Sequence, residues 1–386
     1  MSSDFPPTTP SGTIGRAVVA YAVLGLAFWR AIADYFARDI LIGGATYRVG
    51  DWVINYAGGF VRRGLFGELL FTASPPGPPT LWVLAGVQLA CYAVVAAYVI
   101  GFLHRTGHAW PAVALACSPA ALPFIGWDVE GGWRKEIIGF AAIALLGWAR
   151  RSSSERLRQI LTAAAVVVFG LAMFSWEASI FAIPVMLHLL RRPDGRPELR
   201  GRAGWAGWAI LGLGLTGGVA SLVFRGDAAV AKAICRTVVA QGLNPDLCAG
   251  AIDRIGQPLA EALEAVAVRF PLYWWFLALL PLALLPVLTS PWLRRHWPWF
   301  LATVATIVPL YVIAEDYGRW AHLLLMAPAL AIMAGDLREV ASRFWNGWTT
   351  VAYVTLWGLP HWLFADAGWP LYSFWGSLLE TVFNPG

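Results

Sequence analysis

The sequence predicts an all-α fold: a polytopic transmembrane bundle of about eleven spans, with interfacial helices in its first outward loop. Three observations carry that prediction. Hydrophobic residues make up 58% of the 386 positions and charged residues only 13%, about half the charged share of a soluble chain. Mean hydropathy is +0.61, and apolar runs of roughly 18 residues or more recur along the whole length. These runs do not alternate polar and apolar positions. In lipid the backbone must satisfy its own hydrogen bonds, so helices are expected rather than barrel strands.

Taken in order, residues 1–14, with Pro6, Pro7 and Pro10, read as a disordered cytoplasmic tail, and 15–386 as a single transmembrane domain. The first span covers about 16–37, and residues 33–80 form the first periplasmic loop. Within it Ile32, Tyr35, Phe36 and Ile40 share one helical face, opposed by Asp34, Arg38 and Asp39. Val61, Leu65 and Leu69, with Phe66 and Leu70, form a second apolar stripe. Two helices lying on the membrane surface are expected there. The run Ser74 to Pro79 punctuates the chain. Further spans are expected at about 81–103, 110–127, 136–149, 159–174, 177–190, 204–224, 271–289, 298–314, 320–335 and 348–365. Several are short, and 159–190 reads either as two crossings or as a re-entrant hairpin.

Arginine sets the expected orientation. One short loop holds Arg150, Arg151, Arg156 and Arg158; another holds Arg191, Arg192, Arg196, Arg200 and Arg202. Arg294 and Arg295 occupy a third, Arg338 and Arg343 a fourth. Alternating spans puts all four on one side, the cytoplasm of a bacterial inner membrane. The N-terminus is then cytoplasmic. Segments 33–80, 128–135, 225–270 and 315–319 face the periplasm, as does the C-terminus. Cys235 and Cys248 fall in the outward loop 225–270, where a disulfide between them would persist. Cys91 and Cys117 lie within spans. No Cys/His set has metal-ligand spacing, and there is no Walker loop, G-x-S-x-G or dinucleotide fingerprint. The net charge of +5 calls for no nucleic-acid partner, because arginine in the loops of a membrane protein is a topology signal.

Four outward segments carry charges that hydropathy does not ask for. They are Asp51 with Asn55, Arg62 and Arg63; Asp128 to Glu136; Trp176-Glu177; and Glu315 to Trp320, with His322 close behind. Converging in one cavity, they would suit glycosyl transfer from a lipid-linked donor. The fork of arginine matches phosphate oxygens, and Arg62, Arg63, Arg134, Lys135 and Arg319 are the candidates for that role. A carboxylate would take the proton from the acceptor hydroxyl: Asp51 first, then Asp316, Glu315 and Glu130. Glu177 is a second acid or a partner to an arginine, and His322 a substrate contact or a packing histidine. Trp52, Trp133 and Trp320 are placed to stack on sugars or to anchor the chain at the interface. Each charge also has a plainer reading. Asp51 can cap a helix or pair with Arg62, Arg62-Arg63 can bind anionic headgroups, and the acids of 128–136 and 315–316 can pair locally.

The placement of Asp51 in a long first outward loop resembles the GT-C class of integral membrane glycosyltransferases. The resemblance covers topology rather than motif, since the loop has no tight D-x-D. The strings Gly59 to Gly67, Arg134-Lys135-Glu136 and Asp316 to Trp320 also resemble those of bacterial membrane proteins tied to surface polysaccharides. The arginine-rich outer face resembles O-antigen polymerases and ligases. The resemblance implies a polyprenyl-phosphate- or pyrophosphate-linked sugar donor, a glycan or lipid acceptor, and contact with membrane lipids. No cofactor is predicted; members of the class work with or without a divalent metal. Polymerase or ligase activity is the alternative. A transporter or lipid flippase is the alternative of another kind, though the spans carry few charges at mid-membrane depth.

Overall fold

The computed structural model describes residues 10–44, 46–191 and 204–362. Residues 1–9 of the expected tail 1–14, residue 45, residues 192–203 and the C-terminal segment from 363 lie outside the described residues, while 10–14 of that tail already belong to the first helix. Those described fold as helices and connecting turns, with no strand pairing into a sheet among them. In chain order the helices are α1 (Pro10–Tyr35), α2 (Thr46–Gly50), α3 (Leu65–Ala73), α4 (Pro78–Arg105), α5 (Trp110–Ala116), α6 (Phe124–Trp127), α7 (Glu136–Arg151) and α8 (Glu155–Ser175). They continue with α9 (Ala182–Leu189), α10 (Gly204–Val223), α11 (Ala228–Ala240), α12 (Leu259–Leu288), α13 (Pro291–Ile313), α14 (Tyr317–Met333), α15 (Leu337–Val340) and α16 (Gly347–Thr355).

Five helical stretches among the described residues are long and apolar enough to cross a membrane: Gly12–Ile40, Pro78–Arg105, Glu155–Ser175, Gly204–Val223 and Pro291–Ile313. The expectation of about eleven spans exceeds this, for identifiable reasons. The run 110–127 is broken by the turn between α5 and α6, where Ser118 and Pro119 interrupt it. The run 177–190 is a 3-10 turn, Glu177–Phe181, followed by the short α9, so 159–190 is one long helix and a short one. Helix α14 is apolar because all its residues are buried inside the bundle, a pattern that hydropathy cannot tell from a lipid-facing span. It packs against α7, α12 and α13, while α7 packs against α8 and α4. Together α7 and α14 form the centre.

The first of the two expected surface helices does not form separately. Residues Phe36–Ile40 continue α1 as a π turn, with Asp39 buried. The second does form as α3, with Phe66 and Leu70 turned inward and Leu69 out.

The bundle has two chemically distinct ends. At one, arginines hold the carbonyls left open at helix C-termini. Arg150 donates to Leu189 O at 2.7 Å, Arg151 to Ala334 O at 3.0 Å and Arg105 to Met333 O at 2.9 Å. Arg295 pairs with Glu339 at 3.0 Å. At the other end, reached by the N-termini of α7 and α14, the acid-bearing loops meet. Here Cys235 and Cys248 are joined in a disulfide. The turn that carries Cys248 lies on α2, so closely that a Cβ on Gly50 would stand 2.7 Å from Leu247 O. Behind it, α3 crosses residues 53–54, where a Cβ on Gly67 would overlap the Ile54 carbonyl.

Gly67→Ala should therefore lower the melting temperature or prevent accumulation of the folded protein. Gly86→Ala in α4 has open space around it and should be neutral or slightly stabilising. Thermal unfolding of both variants in detergent tests this, and equal melting temperatures would contradict the packing of α3.

Candidate functional site

All four charged segments meet at the end opposite the arginine-capped one. Arg63 makes a bidentate pair with Glu177, Nε to Oε2 at 2.8 Å and Nη2 to Oε1 at 2.7 Å, with Arg62 Nη1 3.5 Å from the same oxygen. This joins the first segment to the third. Lys135 Nζ donates to Arg63 O at 3.0 Å and lies 3.8 Å from Asp51 Oδ1, joining the second to the first. Arg319 forks onto Glu136, Nε to Oε1 at 3.1 Å and Nη2 to Oε2 at 3.0 Å, and reaches Asp316 at 2.5 Å. That joins the fourth to the second. The guanidinium of Arg319 also lies over the stacked pair Trp176 and Trp320, 5.8 and 5.3 Å from their ring centres.

The backbone is bent to make these contacts. Arg63 and Trp133 take φ of 71° and 58°, the left-handed region that disfavours a side chain. Both present their carbonyls to buried donors. Arg63 O accepts from Lys135, and Trp133 O accepts from Trp52 Nε1 at 2.8 Å and Gln88 Nε2 at 2.9 Å. Glycines 58, 59 and 64 around Arg62-Arg63 let the loop turn; at Gly64 a Cβ would overlap the ring of Tyr56. Asn55 does not reach the network. Its side chain closes its own turn, accepting from Ala57 N at 2.9 Å and donating to Val53 O at 3.1 Å.

Among the described residues, two groups in the network lack a full complement of partners. Asp51 Oδ1 is buried and accepts no hydrogen bond, with Lys135 and Arg63 at 3.8 and 4.0 Å. Arg134 donates once, to Glu130 O at 3.0 Å, and faces Tyr47 at 5.6 Å; its buried Nε donates to nothing. Burial, with Arg319 nearby, pushes the Arg134 guanidinium below its ordinary pKa. Burial lowers Arg62 too, and Arg63 beside it adds to the effect. Burial alone would raise the Asp316 carboxyl, but Arg319, His361 and Arg134 together outweigh it and hold the group below its usual range.

Several expected site residues are engaged elsewhere. Glu130 is half-exposed and turns to Arg48, at 3.7 Å, which also binds Asp34 at 2.7 Å and Asp39 at 2.9 Å. Glu315 pairs with Arg269 and accepts from Trp362 Nε1 at 3.3 Å. Both stand outside the network because a nearer cation holds each carboxylate. His322 is a packing histidine. Its ring lies 4.5 Å from Phe124 and bonds Ala120 O at 2.8 Å, beside a small cavity shared with Tyr92, Glu136 and Met326. Trp52 and Trp133 are fully buried, Trp52 against Phe66 and Trp133 between Tyr35 and Tyr92. Trp320 is buried against Trp176. None of the three offers an open ring face to a sugar, so the stacking expected of them is replaced by packing.

For three residues, sequence reasoning named the segment but not the partner. Glu136 ends one of the charged strings, but only the structure makes it the anchor of Arg319. Trp176 lies under that arginine. Asp128 is held by His361, whose Nδ1 is 2.7 Å from Oδ2 and whose backbone N–H donates to it at 2.5 Å, and by Gly131 N at 2.8 Å. Burial alone would raise that carboxyl, and these contacts bring it below its usual range. No local signal links positions 128 and 361.

What fold and site define, over the described residues, is an all-helical chain with several helices long and apolar enough to cross a membrane and an ion-pair network at one end. Comparison with protein-family models, with curated proteins and with solved structures finds no match.

Lys135 gives the network a pH signature. Burial pushes its ammonium down to about 8, with Arg63 adding to the shift and Asp51 opposing it. The unfolded chain keeps that proton to about pH 10.4. Between those values the unfolded state binds more protons, so stability rises with pH. From pH 8 to 10 the melting temperature of the wild type should rise relative to that of Lys135→Met. Parallel profiles for the two proteins would show that Lys135 does not titrate there.

Proposed function

We propose that this chain is a glycosyltransferase of a bacterial inner membrane. It would move a sugar from a polyprenyl-phosphate- or pyrophosphate-linked donor to a glycan or lipid acceptor at the periplasmic face. One observation carries the reading: charges from four distant segments converge in one buried network that leaves Asp51 Oδ1 and Arg134 Nε without hydrogen-bond partners. Unfilled acceptor and donor capacity in such a site is what a substrate would complete.

The chemistry follows from those two groups. Asp51 takes the proton of the acceptor hydroxyl as its oxygen attacks the anomeric carbon. The bond from that carbon to the phosphate oxygen breaks, and the lipid phosphate leaves with the electron pair. Arg134 and the loosely held Arg62 meet the charge that develops on it. A single displacement with one base inverts the anomeric centre. Arg63, Lys135, Glu136 and Arg319 hold this geometry and do not react. Against a transport role, Glu177 of the broken α8–α9 hairpin is neutralised by Arg63 rather than turned to a passage.

Mass spectrometry of lipid-linked saccharides tests the reaction in a deletion strain complemented with wild type or Asp51→Asn. A precursor should build up in the deletion and the mutant and be consumed with wild type. A precursor one sugar short marks single-sugar transfer, and a complete repeat unit marks the polymerase alternative. An unchanged pool would sink the glycosyltransferase and favour transport.

The orientation has its own test. Asp253→Cys, in the disulfide-bearing loop, should react with an impermeant maleimide from the periplasmic side, and Ser153→Cys, between the arginines of the α7–α8 turn, should not. The reverse pattern would place the site in the cytoplasm.

A further inference from the structure

The small cavity beside His322 lies among three central helices. Tyr92 reaches it from α4, Glu136 from α7 and His322 from α14, with Phe124, Phe140 and Met326 among its apolar walls. The centre of a water molecule has about 10 Å³ to move in there, room for one water and not for a second. An apolar cavity of that size would stay dry. This one is lined by three polar groups whose hydrogen bonding is incomplete among the described residues. Tyr92 Oη accepts from Trp133 N at 3.1 Å, and its own proton meets no acceptor. His322 Nδ1 lies 2.8 Å from Ala120 O. A carbonyl only accepts, so Nδ1 carries the proton and the neutral ring keeps its lone pair on Nε2. No donor meets that nitrogen. Glu136 gives one oxygen to Arg319 Nε at 3.1 Å and the other to Nη2 at 3.0 Å. A carboxylate has about four acceptor positions, so Glu136 has capacity left.

We propose that this cavity is a binding site for a single water molecule, held by Tyr92, His322 and Glu136. The hydrogen bonds balance atom by atom. The water oxygen accepts the Tyr92 hydroxyl proton. One water hydrogen goes to His322 Nε2 and the other to a Glu136 oxygen. That makes three bonds, the usual number for a buried water, and it fills the open positions on Tyr92 and His322. A dry cavity would strand both groups at the cost of an unmade hydrogen bond each. A metal cation is the other occupant that a buried carboxylate could draw. Arg319 already neutralises Glu136, and His322 and Tyr92 bring no further charge. The water gives His322 a second part: its ring packs on Phe124, and its Nε2 fixes the water. It also ties α4, α7 and α14 together at one point, so the carboxylate that grips Arg319 is held from behind. This site stands whether or not the chain transfers a sugar.

Cryo-electron microscopy of the full chain in nanodiscs tests this, at a resolution that shows ordered waters elsewhere in the bundle. One peak should stand within hydrogen-bond distance of Tyr92 Oη, His322 Nε2 and a Glu136 oxygen. A map that shows other buried waters and none here would overturn the proposal. Contacts too short for hydrogen bonds would mark a cation and overturn it as well. His322→Leu removes the acceptor and should abolish the peak, and an unchanged peak in that variant would show that other groups hold the water. Should the variant fail to fold, nitrogen NMR of histidine-labelled wild type gives a second measurement. The His322 ring should carry its proton on Nδ1 and accept a hydrogen bond from water at Nε2. A proton found on Nε2 would leave the water no acceptor there and sink the site.

Discussion

The bidentate pair between Arg63 and Glu177 is the interaction on which the rest of the charged end depends. It ties the loop between α2 and α3 to the break between α8 and α9. Glu177 opens a 3-10 turn in an apolar region, where a carboxylate without a partner would be costly. Arg63 reaches it from a left-handed backbone conformation. That conformation turns its carbonyl to Lys135, which in turn approaches Asp51. Arg63 and Glu177 are partly exposed, while Lys135 and Asp51 are buried, and the buried pair depends on the contacts that the Arg63 turn provides.

The two ends of the bundle use arginine in opposite ways. At one end arginines cap helix carbonyls and can keep their tips near water. At the other they are buried among carboxylates, and the glycines of the first loop, with the disulfide-bearing turn on α2, close the backbone around them. The same helices connect the two: α7 carries Glu136 at its first residue and Arg151 at its last. The central helices thus fix the position of the network relative to the long apolar helices around it.

Within the site, legibility tracked the kind of interaction. Charges in an apolar chain stand out, so Asp51, Arg62, Arg63, Arg134, Lys135, Glu177, Asp316 and Arg319 could be singled out from composition alone. Their pairing could not. Glu130 and Glu315 look equivalent to Asp316 in sequence, yet Arg48 and Arg269 draw them away. Trp52, Trp133 and Trp320 look like sugar platforms beside acids, and burial makes them supports. His361 carries no sequence sign of its role, because its partner Asp128 lies far back in the chain.

The sequence by itself determined the helical class, the apolar stretches, the segregation of arginine-rich loops from acid-bearing ones, and the pairing of Cys235 with Cys248. These follow from local composition and from the number of cysteines available in one loop. Only the tertiary structure decided which apolar runs are helices long and apolar enough to cross a membrane and which, like α14, are buried in the bundle. It alone decided which cation each acid meets, and that no described carboxylate comes within ion-pair distance of Arg134. Hydropathy reports how much a segment avoids water, not whether lipid or protein covers it. An ion pair depends on distances of a few ångströms between residues more than a hundred positions apart, which only the packing of helices sets.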